Sequence, residues 1–130
     1  MRIKVEVSPG ELIDKLTILE IKEERIGDAD KVANVRREKA TLEAAASDVL
    51  RAHGIAALSA ELKGINEALW EIEDRIRACE AEARFDAEFL ELARAVYLTN
   101  DRRAAVKRRI DDRLGSDIPE EKSYRPYRRD

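Results

Sequence analysis

The sequence predicts an all-α protein, an antiparallel helical bundle of about four helices, and three observations support this prediction. Charged residues make up 41% and hydrophobic residues 44% of the 130 residues, with only five Gly and three Pro, a composition that favours long helices with charged outer faces. Three consecutive segments carry apolar residues at the 3,4 spacing of a helix. Residues that typically begin or end helices separate these segments.

The first seven residues predict a short N-terminal β-strand. Ile3, Val5 and Val7 are separated by charged residues, which is the period-two pattern of a half-buried strand. One strand cannot satisfy its own backbone groups, so it must pair with the C-terminal tail or with the same strand of a second subunit. An extended arm that lies across the bundle is the alternative interpretation.

Helix one begins at Ser8, with Pro9 in the first helical position and Glu11 placed to close a capping box, and it runs to about Ile26. Its apolar residues lie on two sides. Leu12, Leu16 and Leu19 share one side, and Ile18 and Ile21 lie nearly opposite. A helix that is apolar on two sides is usually covered on two sides, so we expect helix one at the centre of the bundle or at a subunit interface.

Helices two and three carry the most regular apolar stripes. Gly27 ends helix one, Asp28 or Asp30 begins helix two, and Gly54 ends it. The stripe of helix two comprises Val32, Val35, Lys39, Leu42, Ala46, Val49 and His53. The stripe of helix three comprises Leu58, Leu62, Ile65, Leu69, Ile72, Ile76 and Cys79. Sustained heptads of this kind predict packing at coiled-coil crossing angles.

Helix four begins at Asp86, which can serve as its N-cap, and ends at Leu114 and Gly115. Its stripe comprises Phe89, Leu92, Val96, Thr99, Arg103, Val106 and Ile110. Residues 116–130 contain two prolines and no helical period. The predicted organisation is therefore a helical bundle domain with an N-terminal strand over residues 1–115, followed by an extended C-terminal tail over residues 116–130.

Composition excludes several classes of function. The net charge of −3 comes from 28 acidic and 25 basic residues mixed along the chain, so no global field attracts nucleic acid or an anionic membrane. One Cys and one His supply neither a disulfide nor a usual zinc site, and no phosphate loop or nucleophile elbow is present in the sequence. We expect no metal and no cofactor. Without a signal peptide or membrane-spanning run, we expect a cytoplasmic protein.

Three polar residues interrupt the apolar stripe of helix four. Asn100, Arg103 and Lys107 project onto the same arc of the helix as its apolar residues, so they are predicted to point inward. Burying a cation without a partner costs several kcal/mol, so carboxylates, carbonyls or a bound anion must accompany them. Counting outward from a turn between helices three and four places Arg103 opposite Asn66.

The same counting leaves the partners of the two cations open. It places Lys39 opposite Glu73, which predicts an interhelical ion pair, and leaves Glu20 or Asp14 on helix one as the acid for Arg103 and Lys107. Two interpretations follow. The residues form either a satisfied polar layer that fixes the helical register or a pocket for a small anionic ligand.

If the pocket exists, the predicted ligand-binding residues are Arg103, Lys107, Asn100, Glu20, Glu73 and Asn66. No catalytic residue is assigned, although Glu20 or Glu73 would be the only plausible general acid or base, and enzymatic activity stays open. The C-terminal tail interleaves aromatic and basic residues over 124–129, which is also seen in nucleic-acid-binding segments. The acidic net charge makes nucleic acid the least favoured partner.

Several segments resemble a small bacterial family of uncharacterised proteins. The resemblance is carried by the opening signature SPGELIDKLTILEIK over residues 8–22, by LWEIED over 69–74, by LARAVY over 92–97 with NDR over 100–102, and by EEKSY over 120–124. This resemblance implies no established activity, cofactor or catalytic residue. It implies an accessory role in surface-polysaccharide biosynthesis.

The sequence thus favours a cytoplasmic interaction or accessory protein, a homodimer joined through helix one and the N-terminal strand, with a further protein partner as an open expectation. The apolar second side of helix one and the strand without a partner motivate this hypothesis. The alternative is a binder of, or an enzyme acting on, a small anionic metabolite through the inward-facing Arg, Lys and Asn residues.

Overall fold

The computed structural model describes residues 1–116 and 124–127. It contains four helices: α1 over Pro9–Arg25, α2 over Ala29–Arg51, α3 over Ile55–Ala81 and α4 over Ala87–Arg113. The predicted all-α class and the number of helices are confirmed for this part of the chain. The predicted extended tail falls largely on residues 117–123 and 128–130, which lie outside the described residues.

Local side-chain caps explain where three of the helices begin. The side chains of Ser8, Asp28 and Asp86 each accept a hydrogen bond from the backbone amide three residues further along, at 3.2, 3.0 and 3.2 Å. Each bond satisfies one of the amides that the first helical turn leaves without an intrahelical partner. Gly54 precedes α3 with a φ of 82°, in the left-handed region that glycine adopts without a steric penalty.

Helix α1 lies at the centre of the bundle, where it contacts all three other helices. Leu16 and Leu19 on one side of α1 are buried, and so is Ile21 on the other side. Leu12 and Ile18 are half-buried, so the bundle of this single chain covers both apolar sides of the helix in large part. This agrees with the central position that the two-sided pattern predicted, and the alternative of a subunit interface stays a prediction.

An apolar core cluster lies where the first halves of α1 and α3 meet the second half of α4. Its buried members are Ile13, Ile55, Leu58, Leu62, Ile65, Val106 and Ile110. Helices α3 and α4 run antiparallel along it, as the ion pairs Glu61–Arg109 and Arg75–Glu88 show at 3.1 and 3.0 Å. These pairs agree with the predicted register that placed Arg103 opposite Asn66.

The predicted N-terminal strand is wrong for the single chain. Residues 1–7 form no regular structure, and the side chains of Ile3, Val5 and Val7 are 79, 74 and 46% exposed. A strand forms only against another strand, and residues 1–116 and 124–127 contain none. The alternating pattern specified the two faces of a strand but could not supply its partner.

The predicted ion pair between Lys39 and Glu73 is also wrong. Lys39 Nζ lies 3.0 Å from Glu23 Oε2 on α1 and 3.5 Å from Glu43 Oε1 on α2. Glu73 contacts Arg77 on its own helix. Helix α2 packs mainly on α1 and only weakly on α3, so the acids of α1 are the nearest ones to Lys39.

The pair between Glu23 and Lys39 predicts a pH dependence of stability. The hydrogen bond from Lys39 lowers the pKa of Glu23 from its ordinary value of 4.5, and the same bond raises the pKa of Lys39 from 10.5. Glu23 therefore contributes stability above its unfolded pKa, and this contribution is lost as the pH falls through its folded pKa. The contribution of Lys39 is present below its unfolded pKa and is lost as the pH rises through its folded value.

We expect the Glu23→Gln variant to unfold at a lower urea concentration than the parent at pH 7 and to show a smaller difference from the parent at pH 3. Urea titrations at a series of pH values, monitored by circular dichroism, measure this difference. An equal gap between the two proteins at both pH values would contradict the assigned role of the Glu23 carboxylate.

Candidate functional site

Four polar side chains from three helices meet in the interior of the bundle. We call Asp14 and Thr17 on α1, Asn66 on α3 and Arg103 on α4 the buried polar cluster. Asp14, Thr17 and Asn66 are buried, and the side chain of Arg103 is 29% exposed. The cluster therefore has one partly open edge, where the guanidinium of Arg103 lies.

Hydrogen bonds connect all four members of the cluster. Arg103 donates to both carboxylate oxygens of Asp14, from Nε to Oδ1 at 2.9 Å and from Nη2 to Oδ2. Asn66 Nδ2 donates to Asp14 Oδ1 and to Thr17 Oγ1, both at 2.9 Å. Thr17 Oγ1 donates to the backbone oxygen of Asp14 at 2.7 Å. This bidentate ion pair compensates the charge of Asp14 and so offsets the cost of burying the carboxylate.

A second set of contacts joins the start of α1 to the end of α4. Lys107 Nζ lies 2.7 Å from Glu11 Oε2, with side-chain exposures of 8% for the lysine and 48% for the glutamate. The backbone amide of Gly10 donates to Asp111 Oδ1 at 2.7 Å. A Cβ at Gly10 would lie 2.5 Å from the backbone oxygen of Lys107, so only glycine permits this approach of the two helices.

The structure brings together some of the predicted ligand-binding residues. Arg103 and Asn66 share a partner in Asp14, which was one of the two acids predicted for Arg103. Lys107 is buried on the same side of α4, and Asn100 is half-buried one turn before Arg103. Asn100, Arg103 and Lys107 thus lie on the side of α4 that faces the bundle, as the periodicity predicted.

Two of the predicted residues lie elsewhere or serve another partner. Glu20 lies 3.4 Å from Lys63 on α3, so it does not contact Arg103. Glu73 forms its ion pair with Arg77. The two cations of the predicted anion pocket, Arg103 and Lys107, each contact a carboxylate of α1.

Glu11, Thr17 and Asp111 belong to the site, but the sequence interpretation did not assign them to it. The signal was present in the spacing of charges. Two acids three residues apart on α1, Glu11 and Asp14, face two bases four residues apart on α4. On antiparallel helices these spacings place both ion pairs in register. The capping-box pattern predicts only a local role for Glu11, whereas its carboxylate contacts Lys107.

An open cleft of about 420 Å³ lies beside the buried polar cluster. We call it the Trp70 cleft, and it is lined by residues of α1, α3 and α4: Ile18, Ile21, Asn66, Leu69, Trp70, Glu73, Asp74, Arg77 and Arg103. Its size is within the range of small-molecule sites, and its walls combine apolar and aromatic side chains with a few polar groups, as such sites do.

Two further findings concern metal-binding clusters and membrane-spanning helices. Within residues 1–116 and 124–127, no three His, Cys, Asp or Glu side chains are placed together so that they could hold a metal ion. None of the helices in this part of the chain is both long and apolar enough to cross a membrane.

The chain was compared with known protein families, curated proteins and solved structures. Residues 3–127 match the model of a family described as Family of unknown function (DUF6165). No curated protein and no solved structure is significantly similar to the chain. The match covers both the buried polar cluster and the Trp70 cleft.

Proposed function

We propose that this chain, which belongs to the DUF6165 family of unknown function, is a non-catalytic interaction module that forms a homodimer through its N-terminal segment, residues 1–7. One observation carries the proposal. Ile3 and Val5 are more than 70% exposed, although their alternation with charged residues is the pattern of a strand with one buried face. When such a segment pairs with a strand from another chain, its backbone groups form hydrogen bonds and its apolar side chains contact those of the partner.

The N-terminal segment is complementary to itself. When two copies run antiparallel with Val5 opposite Val5, Ile3 of each copy lies opposite Val7 of the other. In the same register, Lys4 lies opposite Glu6 twice. Directly opposed apolar pairs and opposite charges each stabilise an antiparallel pair of strands. In a two-fold symmetric dimer, each copy of the segment forms the same contacts with the other copy.

Charge reversal tests this register. We expect the Lys4→Glu variant to raise the dimer dissociation constant about tenfold, because both Lys–Glu pairs become Glu–Glu pairs. The double variant Lys4→Glu/Glu6→Lys exchanges the charges and restores both pairs, so it should restore the parent affinity. Sedimentation equilibrium on the full chain over a range of concentrations measures all three proteins.

A parent protein that is monomeric at micromolar concentration would overturn the dimer. A dimer that is unaffected by Lys4→Glu would overturn the proposed interface instead. The double variant is the matched control, because it has the same composition and net charge as the parent.

The finer assignments rest on the resemblance and on composition. They are a bacterial origin, a cytoplasmic location and an accessory role in surface-polysaccharide biosynthesis, in which the dimer would contact a further protein. Defects in surface polysaccharide after deletion of the gene, restored by the parent chain, would support this role. Normal polysaccharide in the deletion strain would contradict it.

The geometry favours the interaction module over the alternative of an anionic metabolite. Arg103 is held by Asp14 and Lys107 by Glu11, so an anion would compete with carboxylates already in place. The alternative stays a prediction. A thermal shift with phosphate, nucleotide sugars or small carboxylates that is lost in the Arg103→Met variant would establish it.

A further inference from the structure

We infer that the Trp70 cleft binds a small ligand that carries a primary ammonium group on an apolar stem. The cleft lies between α1, α3 and α4 at the open edge of the buried polar cluster. Three features of its walls lead to this chemical class: a fixed hydrogen-bond acceptor, a carboxylate that forms no ion pair with the described residues, and an aromatic ring. The inference is independent of the proposed dimer, because the N-terminal segment does not line the cleft.

The acceptor is the amide oxygen of Asn66. A carboxylate can only accept, so the bond to Asp14 requires that the amide nitrogen of Asn66 faces it, and this fixes the orientation of the amide. The same nitrogen donates to Thr17. Asn66 Oδ1 remains, and it accepts no hydrogen bond from residues 1–116 or 124–127. Asn66 is 5% exposed and lines the cleft, so a donor on a ligand would satisfy this oxygen.

The charges around the cleft leave a negative excess. Arg103 is held by Asp14, and Arg77 is held by Glu73. Asp74 also lines the cleft, and it forms no ion pair with any residue that the structure describes. The four charged side chains that line the cleft sum to zero, and Asp14, which is buried behind Arg103, brings the local total to −1. A cation is therefore attracted to the cleft, whereas an anion would meet the Asp74 carboxylate.

Trp70 and the neighbouring aliphatic side chains provide the apolar part of the site. Trp70 lines the cleft together with Ile18, Ile21 and Leu69. The face of an indole ring attracts cations more strongly than the other aromatic side chains do. An alkylammonium thus finds apolar walls for its stem, and an aromatic face, an amide oxygen and a carboxylate for its charged end.

The chain contains a single tryptophan, so tryptophan fluorescence, excited selectively over that of the three tyrosines, reports on this cleft. We would titrate the full chain with butylammonium chloride at pH 7 and constant ionic strength. Sodium butyrate and 1-butanol serve as controls, because both have a similar apolar stem. Butyrate carries a negative charge at its end, and 1-butanol carries no charge. We expect a saturable change in emission with butylammonium, at an affinity about tenfold higher than for the other two compounds.

The Asp74→Asn variant should weaken butylammonium binding about fivefold, because it removes the excess charge while keeping the size of the side chain. Asp48→Asn is the matched control, since Asp48 is an exposed residue of α2 outside the cleft, and it should leave the affinity unchanged. The ammonium could belong to a free amine or to a lysine of a partner. Nα-acetyl-lysine amide, titrated in parallel, indicates the lysine if it binds more tightly than butylammonium and the free amine if it binds more weakly.

Three results would overturn the inference: no saturable change with butylammonium, equal affinities for butylammonium and butyrate, or equal losses in the Asp74→Asn and Asp48→Asn variants. Circular dichroism of each variant confirms that a lost signal does not reflect unfolding.

Discussion

Replacing Arg103 by methionine is expected to lower the free energy of unfolding by about 3 kcal/mol. The variant keeps a long side chain but leaves the Asp14 carboxylate, which is 2% exposed, with only the Asn66 amide as a side-chain partner. Breaking a buried ion pair on one side costs more than the pair itself contributes, because a buried charge remains uncompensated. The figure is at the low end of such effects because the Arg103 side chain is 29% exposed.

The double variant Asp14→Leu/Arg103→Met separates the two roles of the pair. It removes both charges from the interior, so we expect it to recover most of the stability that Arg103→Met loses. Lys107→Met is the control for removal of a cation from the same face of α4. Its partner Glu11 is 48% exposed and can be hydrated, so the loss should be smaller. Urea unfolding of the four proteins measures these differences, and equal losses in the two single variants would contradict the special position of Asp14.

The Gly10→Ala variant is expected to lose about 3 kcal/mol of stability, a large effect for one added methyl group. The new Cβ would lie 2.5 Å from the backbone oxygen of Lys107 and 2.8 Å from Asp111 Oδ1. The first of these atoms belongs to the backbone of α4 and cannot turn aside, so the two helices must separate. This separation also stretches the buried hydrogen bond from the Gly10 amide to Asp111.

Gly64→Ala is the matched control for this prediction. Gly64 lies inside α3, and a Cβ there meets nothing within 4 Å. Alanine is favoured over glycine in a helix by about 1 kcal/mol, so this variant should be more stable than the parent. The change from glycine to alanine is thus expected to lower the free energy of unfolding at position 10 and to raise it at position 64. Thermal unfolding of both variants tests this, and a stable Gly10→Ala protein would show that α1 and α4 are not packed as closely as described.

The elements that depend on local chemistry could be predicted from the sequence. Ser8, Asp28 and Asp86 begin their helices because a cap needs only its own side chain and the next few amides. The N-terminal strand could not be predicted in this way. Its pattern is local, but its hydrogen bonds require a second strand, and the described residues of the chain hold none.

The candidate site could be predicted in part. Periodicity alone placed Arg103 on the inner face of α4, and counting from the turn gave its correct neighbour Asn66. The counting failed for Lys39 because it assumed that α2 and α3 pack along their length, whereas α1 lies against both of them. The choice of Asp14 over Glu20 depends on the register of α1 against α4, which the spacing of Glu11 and Asp14 indicates only when it is compared with the spacing of Arg103 and Lys107.

The hydrogen bond between Gly10 and Asp111 joins residues that are 101 positions apart in the chain. During synthesis, α1 emerges from the ribosome long before the end of α4 does. The nascent chain can form the α1–α2 hairpin early, but the central helix stays incompletely covered until α4 has been translated. Contacts of such long sequence separation slow folding, so the final collapse of this bundle should wait until all of α4 has left the ribosome.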